Sequence, residues 1–192
     1  METQISTTGL MVIIGIIVIP LIIVLVFISM RRRRTERLRS QFGDAEYTQT
    51  VQRIGSRRRA EAELENRKQR VGGFDIRPLP AGERDHFKEL WRNIQARFVD
   101  SPRVAVTEAD QLIRDVMSRR GYPVSNFEER AGNISVDYPL AVENYRAAHE
   151  IAIRQVLGET NTEDLRQAMI HYRKLFDELV REQEGIREKA AA

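Results

Sequence analysis

Residues 83–99 read ERDHFKELWRNIQARFV, and their spacing decides the fold. Phe87, Leu90, Trp91, Ile94 and Phe98 recur at i, i+3/i+4, i+7 and i+11, the period of one helix face, while charged residues fill the other faces. The pattern returns downstream between clear breaks. Pro102 disfavours helix at Ser101 and suits the first turn of the next helix. That helix turns Val106, Ala109, Leu112, Ile113, Val116 and Met117 inward and ends at Gly121, with Pro123 as a further stop. Ser125 to Glu128 reads as an S-x-x-E capping box opening a short helix through Phe127 and Arg130. Tyr138-Pro139 opens a longer one, with Leu140, Tyr145, Ala148, Ile151, Ala152 and Val156 predicted inward and Gly158 as its end. Thr162 or Asn161 caps the last helix, whose stripe is Leu165, Ala168, Met169, Tyr172, Leu175, Phe176 and Leu179.

Each such helix has one apolar stripe that only another helix can cover, and no segment alternates with period two for long enough to form a sheet. The expected fold class is all-α: a C-terminal antiparallel bundle of four long helices and one short helix over 83–182, with a flexible tail at 183–192. Phe87, Trp91, Phe98, Tyr172 and Phe176 are its expected aromatic core.

Upstream, Leu10 to Ile28 is a nineteen-residue run without a charged side chain. At about 1.5 Å per residue, Leu10 to Met30 spans roughly 31 Å, close to the ~30 Å hydrocarbon core of a bilayer. A single segment in hydrocarbon must satisfy its backbone internally, so the expectation is a transmembrane helix at 10–30 after a short extracytoplasmic tail at 1–9. A cleavable signal peptide fits poorly: Met1 to Gly9 carries Glu2 and no Lys or Arg, and the apolar run is too long. Pro20 and Gly15 are tolerated in membrane helices and form no G-x-x-x-G motif. Arg31, Arg32, Arg33, Arg34, Arg37 and Arg39 all follow the run. They are the expected membrane-interface residues, set against anionic lipids. They place the N-terminus outside and the C-terminal domain in the cytoplasm, a single-pass protein of the cell inner membrane.

Residues 31–82 form an expected basic helical stalk and Pro/Gly linker. Residues 31–80 hold fourteen Lys/Arg against seven Asp/Glu, whereas 83–192 hold seventeen against twenty. Gly43 interrupts the juxtamembrane helix, Asp44 is a candidate cap for a helix through Ala45, Tyr47, Val51 and Ile54, and Gly55-Ser56 is a weak break. Arg57 to Arg70 is rich in helix formers but has little apolar content beyond Ala60, Ala62 and Leu64, which predicts a solvated spacer ahead of the alternative, one side of a partner contact. Glycines and prolines from Gly72 to Gly82 predict an irregular linker.

The chemistry-bearing motifs are absent. There is no phosphate loop, dinucleotide fingerprint, nucleophile elbow or H-E-x-x-H, and the chain has no cysteine. No catalytic residue, metal ligand or cofactor is expected. His86, His149 and His171 fall on three predicted helices, so a metal site with Glu143 or Glu150 defines the alternative, a small ligand-binding or metal-dependent helical enzyme. Arg57-Arg58-Arg59 raises membrane-tethered nucleic-acid binding, which Glu61, Glu63 and Glu65 and the scarcity of interleaved aromatics disfavour.

Trp91–Pro102, Glu108-Ala109-Asp110, Arg119–Pro123, Glu143–His149 and Thr162–Ala168, with Phe42-Gly43 and Asp75–Leu79, resemble a family of uncharacterised bacterial proteins. The resemblance implies membrane-tethered or secreted helical proteins with no assigned activity, and transfers no functional residue. The leading expectation is a non-enzymatic cytoplasmic interaction or scaffold module held at the membrane. Its protein partner and oligomeric state are left open, and Phe74, Tyr122 and Tyr138 are candidate exposed contact residues.

Overall fold

The computed structural model describes residues 35–181 continuously, together with Ile22, Leu25, Ser29, Met30 and Arg33. Apart from those single positions, the expected anchor at 10–30, the tails at 1–9 and 183–192, and Arg31, Arg32 and Arg34 lie outside the described residues. Among the described residues no helix is long and apolar enough to cross a membrane. Ile22, Leu25, Ser29 and Met30 are helical, and Ile22, Leu25 and Met30 expose their apolar side chains.

The regular structure among the described residues is all helical, as the periodicity requires. Residues 35–42 are helical and are termed α1. They are followed by α2 (Asp44–Ile54), α3 (Arg57–Gly72), α4 (Ala81–Arg97), α5 (Pro102–Arg119), α6 (Phe127–Asp137), α7 (Pro139–Val156) and α8 (Thr162–Val180). Helices α4 to α8 enclose one core that includes Trp91, Ile113, Met117, Tyr145, Tyr172 and Phe176. Cross-helix bonds give the directions. Arg120 at the end of α5 meets Tyr138 at the start of α7, and Gln155 at the end of α7 donates to the Arg103 carbonyl at the start of α5 at 3.0 Å. These two helices are therefore antiparallel. Helices α5 and α8 run in the same direction, because Tyr172 bonds Asp110 and Arg120 bonds the Leu179 carbonyl.

Several ends differ from expectation for local reasons. Helix α4 begins at Ala81, just after Pro80. Asp44 is the first helical residue of α2, and Gly43 with φ 78° occupies the cap position. The cap of α6 is Asn126, whose side chain accepts from the Glu129 N–H at 3.0 Å, while the Ser125 carbonyl accepts from Arg130. Asn161, not Thr162, caps α8 in a reciprocal box with Asp164. Leu140 and Val156 point outward, at 79% and 86% exposure. Ala141 and Val142 take the inward positions, small enough for α7 to lie against α2, α6 and α8 together.

The largest departure is the stalk. Leu38, Phe42, Tyr47 and Leu64 bury one another in a second core, flanked by Val51 and by Val136 of α6. The α2–α3 hairpin rests on α6 and α7, so it is no solvated spacer. The linker is irregular, as its prolines demand, yet it is pinned. The Arg77 N–H donates to the Arg120 carbonyl at 2.9 Å, and Leu79 is buried in the bundle core. Gly121 permits this approach: at φ 93° a Cβ there would stand 2.3 Å from the Asp75 carbonyl oxygen.

Candidate functional site

The α2–α3 hairpin joins the bundle through a buried charge cluster beside its apolar contact with Val136. On α3, Ala60, Leu64, Arg67 and Val71 form the buried stripe, so an arginine occupies a core position. Its Nη1 donates to Glu46 Oε1 of α2 at 2.7 Å and to Ser135 Oγ of α6 at 3.2 Å. Glu46 and Arg67 are only 1% and 3% exposed at their side chains. Arg146 of α7 completes the cluster, with Nε 3.2 Å from Glu46 Oε2 and Nη1 3.0 Å from Glu128. Glu128 also receives Arg53 at 3.3 Å. Gly132 makes room for the guanidinium, since a Cβ there would stand 3.1 Å from Arg67 Nε. A buried cation, Arg67, and a half-buried one, Arg146, thus share one buried carboxylate. Removing it would leave Arg67 with only the carboxylate of Glu63, 3.8 Å away, and Arg146 with only Glu128.

A second ionic layer ties α1 to α3. Thr35 donates to Glu61 Oε1 at 2.7 Å, Tyr47 OH donates to the same oxygen at 2.9 Å, and Arg57 Nε lies 3.2 Å away. Burial pushes the Glu61 carboxyl up, but the three donors outweigh it and hold it below its ordinary 4.5. A depressed carboxylate stabilises the fold fully above its unfolded value, and that stabilisation is lost as pH falls through the folded value. Below about pH 4.5, amide exchange over 35–42, corrected for intrinsic rates, is expected to accelerate before exchange in the bundle. Glu61→Gln should abolish this acid sensitivity while loosening α1 at neutral pH.

Inside the bundle, Arg130 Nε donates to Tyr145 OH at 3.0 Å, and Tyr172 OH donates to Asp110 at 3.2 Å. Burial raises both phenols, so they remain protonated across the physiological range. They satisfy buried polar groups and are poor bases. His149 stacks on Phe127 at a ring separation of 3.5 Å, and burial lowers its pKa from 6.5, keeping the imidazole neutral near pH 7. His171 Nδ1 lies 2.9 Å from Asn144 Oδ1, and His86 is exposed on α4. The three histidines are not brought together. Among the described residues, no group of three or more His, Cys, Asp or Glu is placed to hold a metal ion.

Of the expected membrane-interface arginines, Arg33, Arg37 and Arg39 are described, and all are exposed. Arg39 lies 3.6 Å from Asp44 and over the Tyr47 ring. Two of the candidate contact aromatics are buried: Tyr122 bonds Asp137 at 2.5 Å and Tyr138 pairs with Arg120. Their phenols close the linker end of the bundle. Phe74 is half-buried. No family model, curated protein or solved structure matches the chain.

Proposed function

We propose that the chain is a single-pass, membrane-tethered interaction module with its N-terminus outside and its helical bundle in the cytoplasm. The observation that carries this reading is the charge-free run Leu10–Ile28 followed at once by Arg31–Arg34. Apolar side chains of this length gain most by entering hydrocarbon, and the arginines are held on the cytoplasmic side. The packing of α1 to α3 adds a reason for the architecture: the residues just after the proposed anchor are joined to the bundle by two ionic layers. A bundle fastened in this way is presented at a fixed attitude, at raised effective concentration for a partner in the same membrane. The phenols and ion pairs of the bundle interior serve packing and support no reaction step.

The test is fractionation of the full chain followed by protease treatment of spheroplasts. The chain should stay with membranes through an alkaline wash, and a C-terminal tag should be cleaved only after the membrane is broken. Recovery of intact chain in the supernatant after ultracentrifugation would overturn the anchor. Cleavage of the tag in unbroken spheroplasts would overturn the orientation.

A further inference from the structure

Arg57 lies eighteen residues beyond Arg39, the last arginine of the juxtamembrane cluster, yet the fold returns the first turn of α3 to the start of α1. Arg57 Nη2 donates to Thr35 Oγ1 at 2.8 Å, and Thr35 lies only two residues from both Arg33 and Arg37. The first turn of α3 therefore stands beside the chain that leaves the proposed anchor. Arg33, Arg37, Arg58 and Arg59 are all exposed. Their side chains have no carboxylate partner among the described residues, while Arg57 is taken by Glu61 and Tyr47. Glu61 is already engaged by three donors, and Glu36 is exposed on α1. The fold does not account for Arg58 and Arg59. Among the described residues their side chains make no hydrogen bond or ion pair, and α3 has no acidic residue in its first turn, where positive charge opposes the helix dipole.

We infer that Arg58 and Arg59, brought to the start of α1 by the Thr35–Arg57–Glu61 contact, act together with Arg33 and Arg37, which lie about 200° round α1 from Thr35, as one composite membrane-facing end face that binds the phosphate groups of anionic lipids. The inference rests on the membrane-tethered reading, because Thr35 is five residues past Met30, about 8 Å of helix from the expected edge of the hydrocarbon. At that height the arginines lie within about one Debye length, ~10 Å, of the headgroups. The face adds a second element to the membrane contact. A single helix could spin about its axis, whereas α1 and α3 together define a plane and set the rotation of the bundle.

The chain lacks cysteine, so Ser56→Cys in the full chain accepts a single environment-sensitive dye at the start of α3. Proteoliposomes of phosphatidylcholine, with and without phosphatidylglycerol, are compared, with a headgroup spin label as quencher. The expected result is a blue shift and quenching only with phosphatidylglycerol. A charge near an anionic surface is worth about fivefold in affinity, so R58Q/R59Q should weaken the apparent affinity for the labelled lipid about thirtyfold. R58K/R59K should retain it. Both positions are exposed, and unchanged helix content by circular dichroism verifies that the hairpin stays folded in the variants. Equal dye emission in both lipids, or a response indifferent to R58Q/R59Q, overturns the inference. The same shift on adding inorganic phosphate to phosphatidylcholine vesicles also overturns it, in favour of a free-anion site. Failure of the chain to float with either vesicle rejects the anchor itself, whereas flotation with both and no lipid-dependent shift rejects only the composite face.

Discussion

Glu46→Ala is expected to detach the α2–α3 hairpin while the bundle stays folded. The carboxylate accepts from Arg67 and Arg146, whose side chains are 3% and 14% exposed, so its removal leaves a buried cation with only the longer contact to Glu63 at 3.8 Å and weakens the support of a second. Breaking a buried pair from one side costs about 3–5 kcal/mol, whereas replacing both partners with apolar groups is often neutral. Glu46→Leu with Arg67→Met should therefore lie near the parent, although Arg67 carries the single variant beyond repair. The chain has one tryptophan, Trp91, and it lies in the bundle core, so two probes separate the two units. In denaturant titrations of the full chain in mild detergent, helix content measured by circular dichroism should fall in two steps for Glu46→Ala, with the early step absent from Trp91 emission. A single coincident transition, unchanged from the parent, would show that the ion cluster does not hold the hairpin.

The bundle was legible from the sequence because its helices follow the one rule that periodicity encodes, apolar residues on one face. All seven stripe positions on α8 and all six on α5 are buried. Legibility failed where burial is polar. The stripe Ala60, Leu64, Arg67 and Val71 has helical spacing, but an arginine in it reads as solvent-facing, since a charge is buried only if its partner is too. That partner, Glu46, is twenty-one residues away and belongs to a helix whose own register gives no sign of it. On α7 the misreading had a different origin. Leu140 and Val156 are larger and more apolar than Ala141, yet Ala141 is inward because close helix approach rewards small side chains. Tyr122 and Tyr138 looked like loop-edge aromatics, and they are buried because Arg120 and Asp137 meet their hydroxyls. The composite arginine face was hidden for the same reason as the ion cluster: the contact that creates it, Thr35 to Arg57, joins two segments with no shared pattern.

Phe176→Ala should produce the largest loss within the bundle and leave the hairpin junction untouched. Phe176 is 2% exposed on α8 and stacks on Trp91 of α4, with ring centroids 4.9 Å apart and planes 16° from parallel. Truncating a buried phenylalanine to alanine costs about 3–5 kcal/mol, from lost transfer free energy and from the cavity left behind. Against the 5–15 kcal/mol typical of a whole domain, that is about a fifth or more of the margin. Trp91 Nε1 is buried with no hydrogen-bond partner among the described residues, so a water admitted to the new cavity would gain a donor beside it. The loss should then fall toward the lower end of the range, with a red shift of Trp91 emission in the folded state as the signature. Phe176→Leu, which refills most of the space, should cost less and keep the emission of the parent. Glu46 and Phe176 sit in separate cores and share no partner, so their effects should add within about 0.5 kcal/mol in the double variant. A coupling well beyond that would mean that the hairpin and the bundle unfold as one body, with α2 and α3 part of the bundle's own stability.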